Sequence, residues 1–501
     1  MQRTAVINVV GLTESLLGTA TPRLNAFLQS GKMARVVPAF PAVTCTAQST
    51  YLTGLPPSKH GIVGNGWYDR ELAEVQFWKQ SNHLVKGQKI WDELREKSAI
   101  RSPQSAMPGP FTCAKLFWWY NMYSSADYSI TPRPMYPADG RKFFDIYTAP
   151  YSIRDEIKKD LGEFPFPTFW GPAAGVKTPQ GPSDAASRWI AESAEWIENK
   201  YQPTLSLVYL PHLDYNLQRH GPFVAADARR RTPTAPPANP PTHVGGYELN
   251  PAIVHDLRAI DSIVGGLIDF FHQRSVQVLL LSEYGITQVT TPIHLNRVFR
   301  EKGWLTIKDE LGLELLDFGA SRAFAVADHQ VAHIYLNDPS LGKSVRQVVE
   351  NQPGVARVLG LAEKPAMGID HPRSGDLLAL SSENAWFTYY YWLDDERAPD
   401  FARCVDIHRK PGYDPVELFL DPKLSAPKLK IAWRLLQKKL GFRMLMDVIP
   451  LDAGLVKGSH GVCPADTRDY PLIITERPDL LPEPVMQPTE VYGVIQRQVL
   501  G

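Results

Sequence analysis

The sequence predicts an α/β fold with a central, mostly parallel sheet flanked by helices and a smaller inserted cap region. Three observations carry this reading. Short apolar, β-branched runs recur along the chain, as buried parallel strands do. Helix-period stretches precede two of those runs, giving strand and helix alternation. Polar residues gather just beyond the carboxyl ends of the runs, where chemistry collects in open α/β sheets.

The first run is Ala5 to Val10, closed by Gly11, and it has the pattern of a central strand. From Phe111 to Tyr151 the chain is unusually aromatic, including Phe117-Trp118-Trp119-Tyr120 and Met135-Tyr136-Pro137. So much apolar surface is rarely solvated, so this segment is expected to be an insertion that packs on the body or lines a cleft. Ser183 to Tyr201 carries Ala186, Ile190, Ala194 and Ile197 at helical spacing and leads into a second strand, Thr204 to Leu210, closed by Pro211. Thr232 to Pro241 is too proline-rich for a helix or a central strand and reads as a surface loop. A second helix, Ile253 to Phe271, places Leu257, Ile260, Val264, Leu267 and Phe271 on one stripe before a third strand, Val276 to Leu281. Mixed short strands and a basic helix-like run, Leu424 to Leu440, follow. The division expected is a core over 1–310 with the aromatic insertion near 111–151, a cap over 311–450, and a return to the core over 451–501.

Composition narrows the function classes. The 501 residues hold 53 basic and 53 acidic side chains, so no global field draws in a polyanion, and nucleic-acid binding is not expected. Attraction for a phosphate must then come from a local site. No apolar stretch approaches the roughly 20 residues needed to span a bilayer. Met1-Gln2-Arg3-Thr4 runs straight into the first strand without a leader-like segment, which leads to the expectation of a cytoplasmic protein. Cys45, Cys113, Cys404 and Cys463 are scattered and read as free, buried thiols. Oligomeric state is not legible.

The strongest chemical signal is Pro38 to Gly54, with Thr44 at its centre, followed by His60-Gly61-Ile62 and Asn65. A hydroxyl at the start of a helix sits among unpaired N–H groups in the positive end of the helix dipole, which suits an alkoxide nucleophile and a phosphate. A threonine so placed also simply caps helices. The order Thr44, Thr53-Gly54, His60-Gly61-Ile62, Asn65 resembles the motif of the type I phosphodiesterase/nucleotide pyrophosphatase family of the alkaline phosphatase superfamily. Further blocks follow in that family's order: Asp214 to Gln218 resembles its Asp-x-x-x-His segment, Ser282-Glu283-Tyr284-Gly285 its Ser-Asp-His-Gly turn, and Gly458-Ser459-His460-Gly461 its final Gly-x-His-Gly.

The resemblance implies an alkaline-phosphatase-like sheet and hydrolysis of phosphoric esters, of the phosphodiester or pyrophosphate type, on a small-molecule substrate. It makes Thr44 the nucleophile, and Asp214, Gln218, Glu283, Tyr284 and His460 the residues at metal-ligand positions. Departures from the family pattern are as informative. Val10 stands where an aspartate is expected, Gln218 and Tyr284 where histidines are expected, Glu283 where an aspartate is expected, and Ala47 where a helper asparagine is expected. Two zinc ions about 4 Å apart need several anionic or imidazole ligands. One divalent ion, Zn, Mg or Mn, on Asp214, Glu283 and His460 is therefore expected rather than two. The rival reading is a catalytically impaired member that binds a phosphorylated or other anionic metabolite without cleaving it. His212, Asn8, and the run Asp406, His408, Arg409, Lys410, Tyr413, Asp414 and Glu417 are further polar groups without an assigned role. Trp118, Trp119 and Tyr120 are candidates for a face against the organic part of a substrate, or plain core.

Overall fold

The computed structural model describes residues 1–100, 110–138, 141–178, 181–225 and 247–501. The proline-rich run Thr232 to Pro241 lies outside the described residues. Numbered in chain order, the strands of the main sheet are β1 (Thr4–Val9), β2 (Lys32–Val36), β3 (Cys113–Leu116), β4 (Tyr128–Pro132), β5 (Ile146–Ala149), β6 (Leu205–Leu210), β7 (Gln277–Leu281), β8 (Leu472–Thr475) and β9 (Val485–Met486). They lie in the order β9-β2-β8-β7-β1-β6-β3-β4-β5. Strand β1 sits at the centre, parallel to both β7 and β6, and all six of its residues are buried. That is why it reads as a nearly continuous apolar run, broken by Asn8. Helices α2 (Ala185–Tyr201) and α4 (Val254–His272) lead into β6 and β7, and their apolar stripes enter the same core as the strands.

Within the aromatic segment, expected to pack on the body or line a cleft, residues 113–149 supply β3, β4 and β5 to one edge of the main sheet. Four- and five-residue strands are too short to show a period, and β3 carries the buried Lys115, whose ammonium donates to the Trp119 and Tyr120 carbonyls.

Between β7 and β8 the chain builds a separate four-stranded antiparallel sheet from Ala323–Asp328, Val331–Leu336, Leu377–Ser381 and Val355–Leu359. Its first two strands form a hairpin whose tip, His329-Gln330, reaches the loop that carries His460. There the Gln330 N–H donates to the His460 carbonyl at 2.9 Å, and His329 adopts φ +60°. Among the described residues no helix is long and apolar enough to cross a membrane.

Candidate active site

The site forms where β1, β6 and β7 end. Past β7 come Glu283 and Tyr284; past β6 the chain enters α3 (His212–His220), which carries Asp214 in its first turn and Gln218 one turn later. Facing them is α1 (Thr44–Thr53), a helix buried along its whole length, with Thr44 as its first residue.

Much of the family-like motif around Thr44 holds this helix in place. The Ile62 N–H donates to His60 Nδ1 at 3.0 Å, which leaves His60 Nε2–H to donate to Thr50 Oγ1 at 3.1 Å. Burial drives the His60 pKa down to about 3, so the ring stays neutral. Asn65 accepts from the Cys45 N–H at 3.0 Å and is itself clamped by Asp328, which accepts from the Asn65 N–H at 2.7 Å and from Nδ2 at 3.0 Å. At the far end Gly54, at φ +67°, closes the helix in the left-handed conformation that glycine adopts without strain.

A continuous chain of polar contacts starts at the nucleophile candidate. Thr44 Oγ1 lies 3.0 Å from the Tyr284 hydroxyl, which donates to Asp214 Oδ1 at 3.3 Å. Gln218 Nε2 donates to the other Asp214 oxygen at 2.9 Å, and Tyr413 O–H donates to Gln218 Oε1 at 2.9 Å. Glu283 stands beside this chain with Oε1 accepting from Asn8 Nδ2 and Gln48 Nε2, while Gln48 Oε1 accepts the Trp119 N–H at 2.7 Å. The Tyr284 ring stacks on His460 with centroids 3.6 Å apart, and His329 lies between His460 and Tyr413, 3.6 Å from each. His460 Nδ1–H donates to the Ala42 carbonyl at 2.7 Å, leaving Nε2 with a lone pair, buried and unpartnered. Glu283 Oε2 and Asn8 Oδ1 are likewise buried acceptors without a donor.

Burial sets the electrostatics. It pushes the Asp214 carboxyl up to about 7, opposed by the hydrogen bonds from Gln218 and Tyr284. It pushes Glu283 up to about 8 against the hydrogen bonds from Gln48 and Asn8, with repulsion from Asp214 adding to the rise. Asp328 rises to about 7, and His460 falls to about 3, for the same reason. Near neutrality these carboxyl groups sit at the edge between proton donor and proton acceptor.

The donor set does not fit the zinc centre that the resemblance implies. Val10 is fully buried and offers no donor atom, and the four hydrogen-bond donors Asn8, Gln48, Gln218 and Tyr284 are aimed at the two carboxyl groups that an ion would need. Tyr284 fills the space between Thr44 and Asp214 and stacks on the imidazole. Among the described residues no group of three His, Cys, Asp or Glu side chains is placed to hold an ion. Asp214, Glu283 and His460 thus stand in a hydrogen-bond and stacking network together with Gln218 and Tyr284.

Other expected residues fall into place individually. His212 opens α3, with its Nε2 3.1 Å from the Asp256 carboxylate. Lys410 forms a fully buried triad with Asp414 and Glu417, and the Asp406 N–H donates to Glu417, so this run is largely structural. His408 lies 3.3 Å from the Phe77 carbonyl. Trp118, Trp119 and Tyr120 are buried, with Trp119 packed on Trp78, so they serve as core. Of the cysteines, Cys463 is exposed, in contact with the Tyr470 hydroxyl on a loop beyond His460, and the other three are buried. Sequence reasoning missed Gln48, Asp328 and His329. An Asp-His pair at a hairpin tip was the available signal for the last two.

Comparison with known proteins agrees with this architecture. Murine ectonucleotide pyrophosphatase/phosphodiesterase 5, in the structure of an inactive form in complex with AMP, is 14% identical, with all of this chain and 95% of that one covered and a TM-score of 0.53. Phosphonoacetate hydrolase from Sinorhizobium meliloti 1021, in complex with phosphonoacetate, is 13% identical over the same shares, with a TM-score of 0.57. Such identities establish the fold alone. No curated protein sequence matches the chain. The model of a family described as type I phosphodiesterase / nucleotide pyrophosphatase matches residues 4–414. By that match the chain belongs to the type I phosphodiesterase/nucleotide pyrophosphatase family.

Proposed function

We propose that the protein hydrolyses small-molecule phosphoric esters of the phosphodiester or pyrophosphate type, with Thr44 as the nucleophile. The observation that carries this is the relay Thr44–Tyr284–Asp214 at the first turn of a buried helix. With Asp214 ionised, its carboxylate takes the Tyr284 proton as the phenol oxygen takes the proton of Thr44. The Thr44 oxygen then forms a bond to phosphorus while the bond to the leaving group breaks. Glu283, the carboxyl with the higher pKa, supplies a proton to the departing oxygen, and water afterwards cleaves the phosphothreonine. The amino-terminal end of α1 favours the negative charge that develops at phosphorus. No step is routed through a metal ion, because the donor set does not suit one.

The same donor set favours a second reading, binding of a phosphorylated metabolite without turnover. Both are tested by assaying diesters, pyrophosphates and monoesters with wild type and Thr44→Ala, with and without Zn, Mg or Mn. Hydrolysis expected of the wild type falls by at least about 10²-fold in the variant. Equal turnover in both proteins removes Thr44 from the chemistry. Tight phosphoester binding with no turnover under any condition leaves the second reading in its place.

A further inference from the structure

We infer that helix α5 (Pro427–Lys439) is a membrane-surface anchor that lies in the headgroup region of an anionic bilayer. Its amphipathicity is inverted with respect to the body of the protein. Leu429, Trp433, Leu436 and Leu440, at spacings of four, three and four, form one stripe, and they are exposed at 73%, 58%, 45% and 65%. Against the protein side, by contrast, stand Ile431, which packs beside the Tyr389–Trp392 cluster, and the charged ends of Lys430 and Arg434, both paired with Asp447. Lys438 reaches across to donate to the Lys142 carbonyl at 2.8 Å and lies over the Phe143 and Phe144 rings. The chain therefore spends its polar groups on fixing the helix and turns the apolar stripe outward.

The patch continues past the helix. Phe442 and Leu445 are exposed after the turn at Gly441, and Tyr136 and Phe144 are exposed on the neighbouring segment that Lys438 touches. Scattered apolar residues on a surface need no explanation, but a contiguous patch of this kind marks an interaction site.

Charge decides the occupant. Between Asp421 and Asp447 the sequence holds seven basic residues and no acidic one, with Lys428 and Lys439 exposed beside the stripe. A second copy of this chain would bring the same positive charge against itself. A surface of anionic phospholipid headgroups complements it, with Trp and Leu entering the acyl boundary and lysines remaining at headgroup level. At 13 residues the helix is too short to span and lies in the plane of the surface. This inference is independent of the chemistry at Thr44.

The test uses the full-length protein and unilamellar vesicles of phosphatidylcholine with and without phosphatidylglycerol, read by cosedimentation. Wild type is expected to partition onto the anionic vesicles, less so as salt is raised. The triple variant Leu429→Ser/Trp433→Ser/Leu436→Ser, which changes only exposed positions, is expected to lose at least about tenfold in partitioning. The double variant Lys428→Glu/Lys439→Glu is expected to lose the preference for phosphatidylglycerol by roughly tenfold or more. Absence of wild-type binding, equal binding to both vesicle types, or unimpaired binding by the triple variant overturns the inference. So does sedimentation showing a wild-type dimer that the triple variant turns into a monomer, since the stripe is then an interface between copies.

Discussion

Replacing Glu283 by glutamine makes the energetics of the site measurable. Glu283 is fully buried, and its pKa is raised from 4.5 to about 8, chiefly by desolvation. A carboxyl group raised on folding contributes stability that is complete below its unfolded pKa and is lost as pH rises through its folded pKa. The window for Glu283 therefore runs from about 4.5 up to about 8. At about 1.36 kcal/mol per pKa unit, the part of that window from about pH 5 to about pH 8 corresponds to roughly 4 kcal/mol. Glutamine is isosteric, keeps an oxygen for the Asn8 and Gln48 amides, and does not ionise. Urea unfolding of both proteins across this range should show the wild type losing roughly 4 kcal/mol relative to Glu283→Gln as pH rises. Buried His460 and His60, depressed to about 3, titrate with the opposite sign between that value and 6.5, but they are common to both proteins and cancel in the difference. Parallel curves would refute the burial argument. A wild type that gains on the variant with rising pH would show that Glu283 is held ionised, as beside a cation, and would refute the account of the donor set as well.

Tyr284→Phe keeps the ring stacked on His460 but removes the hydroxyl between Thr44 and Asp214, so kcat should fall by about 10²-fold with KM nearly unchanged, while the lost donor to buried Asp214 costs about 1–3 kcal/mol of stability. A matching loss in both stability and KM would assign Tyr284 to packing instead. Lys410→Met strands Asp414 and Glu417 in the interior without their cation and should cost about 3–5 kcal/mol in urea unfolding; a cost below about 1 kcal/mol would mean the triad is hydrated. Because bound ions stabilise the folded state by mass action, elemental analysis should find far less than one Zn, Mg or Mn per chain, and chelator should leave the melting temperature within about 1 °C. A stoichiometric ion would overturn the fit argument.

How much of this was legible depended on whether the cause was local. Strands β1, β6 and β7 and helices α2 and α4 were readable to within a residue or two, because burial on both faces of a strand or on one stripe of a helix leaves a periodic trace. Thr44 was readable because helix starts have a local signature. The partners of each acid were not, because they arrive from elements far apart in sequence: Asn8 from β1, Gln48 from α1, Tyr413 beyond the second sheet. His329 shows this most plainly, since its place between His460 and Tyr413 depends on a hairpin tip docking on the loop that carries His460. Four-residue strands such as β3 left no period to detect.

The residues at the six positions that the resemblance matches to metal ligands become intelligible only as a set. With Val10 offering no carboxylate, there is less negative charge to hold two cations, and the carboxyls present would be buried without counter-charge. Two outcomes relieve that: the carboxyls take up protons, or neutral donors satisfy them. Both occur here. Gln218 and Tyr284 point N–H and O–H groups at Asp214, while Asn8 and Gln48 point N–H groups at Glu283. A histidine at either position would return a lone pair to a site already rich in acceptors, since Glu283 Oε2, Asn8 Oδ1 and His460 Nε2 are buried without donors. Building a metal centre here therefore requires several of these positions to change together, and each single substitution to histidine or aspartate meets a network built around proton donors.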